Sequence, residues 1–251
     1  MKAMYSISLM VAAVALLAIS MPVHASKMDN RIESSAKQSY VFKTYLQADD
    51  IKIQSMDGVV TLTGTVSEES HKSLARDTVA GLPGVKSVDS RLEVKGDRPA
   101  ENSDAWVMMK VKTTLLFHRS VNGIKTVVKE VKNGIVTLTG EATSQAQKDL
   151  TTEYAKDVEG VKEVKNEMTV AAVKTTKKVA QNIDDASITA QVKAILLYHR
   201  STSALNTSVT TKKGVVTLSG KAGSAAELDL ATKLVGDVHG VKVVKNRMTI
   251  K

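Results

Sequence analysis

Two triplets in the chain carry residue types that acid–base or metal chemistry uses, His118-Arg119-Ser120 and His199-Arg200-Ser201. Each closes a nearly identical phrase, "VKTTLLFHRS" from Val111 and "VKAILLYHRS" from Val192. Two imidazoles from two copies of a unit could share a metal or a proton between them. A plainer role fits the same residues: His and Arg at the C-terminal end of a helix complement its partial negative charge, for about 0.3–1 kcal/mol each. Zinc asks for three or four convergent protein ligands, and no carboxylate or second histidine stands at ligand spacing beside either histidine. The helix-end role is therefore the expectation.

A second candidate is "GVVTLSGKA" from Gly214, which has the glycines and the lysine of a phosphate loop. Five residues rather than four separate Gly214 from Gly220, and Ala222 stands where the magnesium-binding hydroxyl belongs. The same glycines recur in copies that lack the lysine, so the stretch reads as a hairpin and the end of a strand. The chain has no GxSxG, no cysteine and no carboxylate pair in a recurring position. The reading is of a non-catalytic protein with no metal and no cofactor.

The elements that carry these residues are written three times. Glycines 58, 134 and 214 are each followed 26 residues later by Gly84, Gly160 and Gly240. Val107, Val111, Thr114 and Leu115 have helical spacing, as do Ile188, Val192, Ile195 and Leu196. Asp57-Gly58 and Asn133-Gly134 suit a two-residue hairpin, and Lys213-Gly214 is a poorer version of it. The following "VVTLTG" or "IVTLTG" alternates as a half-buried strand. A second helix begins at a capping-box sequence, Ser144 to Gln147 or Ser224 to Glu227, and Gly84, Gly160 or Gly240 ends it before a last strand.

These readings assemble into an α+β fold of three tandem α-β-β-α-β units, each with two helices packed on a three-stranded mixed sheet. The boundaries are residues 26–96, 103–170 and 184–251, with linkers at 95–104 and 171–185. Aligning "VFKTYLQADD" from Val41 with the helices from Val111 and Val192 makes the first unit divergent, and five residues shorter between Val41 and Gly58 than between Val192 and Gly214. Residues 1–25 read as a secretory signal: Lys2, an apolar run from Ile7 to Ile19, then Pro22 and Val23-His24-Ala25. The run is shorter than the roughly 20 residues of a membrane span, so cleavage after Ala25 and a soluble mature chain are expected.

The helix ending in "LLYHR", the "NG-VTLTG" strand and the "GVK-V-N" phrase together resemble the BON family, over essentially the whole chain after the signal. The resemblance implies the α-β-β-α-β sandwich, a periplasmic place in Gram-negative bacteria, and a part in envelope or osmotic stress. It also implies binding of phospholipid surfaces and, in some members, chaperoning of outer-membrane clients. Three copies depart from the more usual two.

Charge marks one copy. Loss of Lys2 with the signal leaves a net +8; residues 175–251 hold 12 basic and 5 acidic groups, and the other two units are near neutral. For an exported chain this surplus points to anionic lipid headgroups, cell-wall polymers or other secreted proteins rather than nucleic acid. Lys193, Tyr198, Arg200, Lys212, Lys213 and Lys221 are the candidate lipid contacts. For Tyr198, core packing is the competing role. Two other readings stay open: a chaperone-like module for unfolded outer-membrane proteins, using apolar grooves or strand edges, and a first unit that only caps the array.

Overall fold

The computed structural model describes residues 27–96, 99–121, 125–171, 182–202 and 206–251. The signal, its cleavage after Ala25 and most of the second linker lie outside the described residues. The first unit runs α1 (Lys27–Gln38), α2 (Tyr40–Thr44), β1 (Asp50–Met56), β2 (Val59–Val66), α3 (Glu69–Ala80) and β3 (Ser87–Val94). The second is α4 (Asp104–Phe117), β4 (Thr126–Lys132), β5 (Ile135–Ala142), α5 (Gln145–Lys156), β6 (Glu163–Asn166) and β7 (Thr169–Val170). The third repeats it as α6 (Asp185–Tyr198), β8 (Thr207–Lys212), β9 (Val215–Ala222), α7 (Ala225–Gly236), β10 (Val243–Asn246) and β11 (Thr249–Ile250).

In each unit the first two strands are antiparallel and the last pairs in parallel with the middle one. The α+β architecture read from the pattern is the one observed. Alternation decides which side is covered: Val60 and Leu62, Val136 and Leu138, and Val216 and Leu218 are wholly buried under the helices. The last strand is continuous in the first unit and broken in the others, and one side chain makes the difference. Asn166 donates from Nδ2 to the Lys148 carbonyl and Thr152 Oγ1, and its Oδ1 accepts from the amide of Met168; Asn246 does the same with Leu228, Thr232 and Met248. The first unit has Ser90 there, too short to reach.

All six turn glycines have positive φ. At Gly160 the helix α4 lies directly above, and an added Cβ would meet Val107 Cγ2 at 2.7 Å. The hairpin turns take φ near 52° then 80° in all copies, even at Lys213 (φ 53°). A carboxylate makes this possible: Asp185 accepts from the amides of Lys213 at 2.6 Å and Gly214 at 2.8 Å. Asp104 and Asp29 serve the other two turns in the same way.

This anchor corrects the register of the first unit. Asp29, Asp104 and Asp185 are equivalent, so Ala36, not Val41, matches Val111 and Val192, and the five-residue shortfall disappears. The first helix is broken instead, at Ser39, whose Oγ accepts from the Phe42 amide to start α2. The capping boxes also differ by one residue from expectation. Ser144 accepts from the Gln147 amide, but Gln147 reaches back to the amide of Thr143; Glu227 likewise reaches Gly223.

The units pack out of chain order. The first and third share one continuous apolar core, which Phe117 of the second also enters, while the rest of the second has its own. Helix α6 is buried on two sides. Ile188, Val192 and Ile195 belong to the shared core, and Ala186 and Ala190 are also covered. Gly81, at the end of α3, lies so close to Ala186 that an added Cβ would sit 3.1 Å from that methyl.

Candidate functional site

The two His-Arg pairs meet each other's units. Beyond α4 and α6 the chain turns extended at His118 (ψ 122°) and His199 (ψ 130°), so neither residue stays on its own helix end. His118 pairs antiparallel with Val238, and His199 with Val158. The Arg119 amide donates to the Asp237 carbonyl at 2.8 Å and the His239 amide to the Phe117 carbonyl at 3.2 Å. The mirror set joins Arg200 to Asp157 at 3.0 Å and Glu159 to Tyr198 at 3.3 Å. Each arginine adds a side-chain grip, Arg119 on the Val241 carbonyl and Arg200 on those of Val158 and Val161. The contact is self-complementary in the manner of a two-fold dimer interface, built here inside one chain.

Its two halves differ electrostatically. Asp237 accepts from the Tyr154 hydroxyl at 2.8 Å and from Ser120, with Arg119 Nε at 3.5 Å. His118 Nδ1 lies 3.2 Å from the carboxylate, off the axis of a hydrogen bond. Burial alone would raise the Asp237 pKa, but the contacts with His118, Ser120 and Tyr154 outweigh it and hold it at about 2. On the other half Asp157 is half exposed and 3.7 Å from His199. Burial pushes the His199 pKa below its usual value, against the pull of Asp157. Leu234 occupies the position equivalent to Tyr154, so the second carboxylate has no hydroxyl donor from there.

Carboxylates therefore do stand beside both histidines, supplied by the opposite unit. That is a correction to the helix-end role, and sequence spacing within one unit could not show it. Each histidine has one such carboxylate, and no group of three His, Cys, Asp or Glu side chains among the described residues could hold a metal ion. Lys110 completes the junction: almost fully buried, it ion-pairs with Glu159 at 2.7 Å and lies 3.5 Å from the Trp106 ring centre and 5.6 Å from that of Tyr198.

The six candidate lipid contacts separate into two groups. Tyr198 is 8% exposed, facing Lys110. Arg200 is committed to backbone carbonyls, and Lys193 leans toward Asp77 of α3 at 3.9 Å. These three serve contacts between units, and the burial of Tyr198 fits the packing role rather than a lipid contact. Lys212, Lys213 and Lys221 remain exposed at the hairpin and along β9. The missed residues are Asp157 and Asp237, and the three turn aspartates. The signal for the turn aspartates was their near-constant distance of 29 or 30 residues ahead of the hairpin glycine.

The BON domain model matches the chain three times, at residues 28–96, 103–172 and 184–251. The chain belongs to the BON family. It is 31% identical over 201 residues to osmotically-inducible protein Y of Escherichia coli (strain K12), covering 80% of this chain and 98% of that protein. It is 34% identical over 116 residues to the outer membrane lipoprotein DolP of Haemophilus influenzae, covering 45% of this chain and 58% of the relative. No described helix is long and apolar enough to cross a membrane. Copies two and three form the reciprocal BON pair. The first copy has Lys43-Thr44 in place of His-Arg, and Pro83, which lacks an amide hydrogen, in place of Glu159 and His239.

Proposed function

We propose that this is a non-catalytic periplasmic protein of the envelope and osmotic stress response that binds anionic phospholipid surfaces through its third BON unit. The relatives' names, the export signal and the family support the setting. The observation that carries the lipid reading is the charge surplus: residues 175–251 contribute +7 of the +8 left without the signal. Lys212, Lys213 and Lys221 remain exposed after the other units have docked. Each cation near an anionic surface is worth about 1 kcal/mol, so three give an attraction of about 3 kcal/mol, weak for a single contact. The test is flotation of the chain with vesicles containing or lacking phosphatidylglycerol. Binding only to the anionic vesicles, fading as salt rises, is the expected result; no flotation at low salt overturns the reading.

One observation favours the chaperone-like alternative. A cavity of about 300 Å³ between the first and second units is lined by Tyr45, Leu74, Leu116, Phe117 and Val127. It borders β4, an edge strand that could accept an extended segment. Suppression of client aggregation that survives high salt would favour this reading over the lipid one.

A further inference from the structure

Each sheet has one face under its helices and one face open, and the open faces are not alike. In the second unit that face carries Glu130, Glu141, Glu163 and Glu167 among its lysines, with Lys125 bound to Glu141 at 2.9 Å and Lys129 near Glu167 at 3.7 Å. In the first it carries Asp50, Asp89 and Glu93 alongside Lys52 and Arg91. In the third, the positions of Glu141 and Glu167 hold Lys221 and Arg247, and those of Glu163 and Glu130 hold Val243 and Thr210.

The pairing register lays this face out. Lys212, Val215 and Val243 form one row across β8, β9 and β10, and Thr210, Thr217 and Lys245 the next. Ser208 and Ser219 follow, then Lys221 beside Thr249, with Arg247 in the break between β10 and β11. No acidic side chain lies on it: all five acidic residues of this unit, Asp184, Asp185, Glu227, Asp229 and Asp237, are on or beside the helices. Lys212, Lys221, Lys245 and Arg247 are exposed, and none is within ion-pair distance of a carboxylate among the described residues. Adjacent strands are about 4.8 Å apart and alternate residues about 6.8 Å, so the cations and hydroxyls are spaced at headgroup scale.

We infer that this open face of the third BON sheet is the surface that lies on an anionic bilayer, with Lys212, Lys221, Lys245 and Arg247 meeting phosphates and the serine and threonine hydroxyls donating to their oxygens. The inference rests on the lipid reading above and specifies its site. A cationic face without acidic side chains complements an anionic surface. On the helical side of the unit, α6 is covered by the first and second units, and the exposed part of α7 carries the carboxylates Glu227 and Asp229.

The test uses the full chain after the signal and vesicles of phosphatidylcholine with or without phosphatidylglycerol, at low salt. One variant carries Lys212→Glu, Lys221→Glu, Lys245→Glu and Arg247→Glu. A second carries Lys37→Glu, Lys52→Glu, Lys132→Glu and Lys165→Glu, exposed positions in the other units with the same change in net charge. Circular dichroism checks that both fold; if the first does not, the single Lys221→Glu and Arg247→Glu variants replace it. The expected result is a loss of about a thousand-fold or more in affinity for the first variant, against a small loss for the second. Equal losses in both overturn the face while leaving lipid binding intact. Failure of the unmutated chain to float overturns the lipid reading itself, and retention on a soluble polyanion without flotation overturns both.

Discussion

The imidazole of His118 stacks on the ring of Tyr154, centroids 3.8 Å apart and planes within 10°. Both belong to the second BON unit, and both address Asp237 of the third. The pair gives a partly buried carboxylate donors that Asp157, its counterpart in the other half of the junction, lacks. Tyr154→Phe keeps the stack and removes one charge-assisted hydrogen bond. It should lower stability by about 1.5 kcal/mol, read as a shift of the urea midpoint at constant slope. An unchanged midpoint would show that the hydroxyl contributes nothing to holding the units together.

Acid should loosen the same junction in two stages. His199 has its folded pKa below the unfolded value of 6.5, so the unfolded chain binds the proton more readily. The stability of its neutral form is complete above pH 6.5 and is lost as pH falls below it. Asp237 has its folded pKa depressed from 3.8 to about 2, so its contribution is present above pH 3.8 and lost as pH falls through about 2. Urea unfolding at pH 7.5 and at pH 5.5 should show lower stability at the acid value. His199→Gln should flatten that difference; an unaltered slope would mean that other groups carry it.

The strands and turns of this fold were legible because their signals are local. Alternation in "VVTLTG" and a residue pair able to take positive φ need no partner to be read. The junction was not legible because its meaning is shared between distant segments. His118-Arg119 reads as a helix end until Asp237, more than a hundred residues away, is placed beside it. The signal lay in the differences between copies: Pro83 in place of Glu159 and His239, and Lys43-Thr44 in place of His-Arg, exclude the first unit from the pairing. The misaligned first unit has a similar cause. Val41-Phe42-Lys43-Thr44 imitates the Val-Lys-Thr-Thr phrase of the second unit, and a short second helix after Ser39 hides the offset.

Asp29 shows what each turn requires of the helix above it. Its carboxylate accepts from Ser55 Oγ at 2.7 Å, the Gly58 amide at 3.0 Å and the Asp57 amide at 3.2 Å, while 2% exposed. Asp29→Ala would strand those donors around a partly filled space. The expected cost is about 2–3 kcal/mol, and amide exchange at Asp57 and Gly58 should accelerate before that of β2 as a whole. Exchange that stays slow at the turn would mean the hairpin is held by its own geometry.

Removing the first unit tests the shared core. As a detachable cap, residues 26–98 could be deleted with little effect on the rest. In the structure the α3 end rests on Ala186, the Val41 amide donates to Ser187, and the Tyr40 amide donates to Asp184. Deletion would therefore expose the side of α6 that carries Ala186 and Ala190, and would leave Asp184 without one of its donors. The truncated chain should melt at lower temperature and bind an apolar dye that the full chain does not. Its open third sheet is untouched by the deletion, so low-salt flotation with anionic vesicles should persist. A truncated chain as stable and as dye-free as the whole would show that the first and third units merely touch. Stability lost together with flotation would instead make the first unit part of what presents the lipid face.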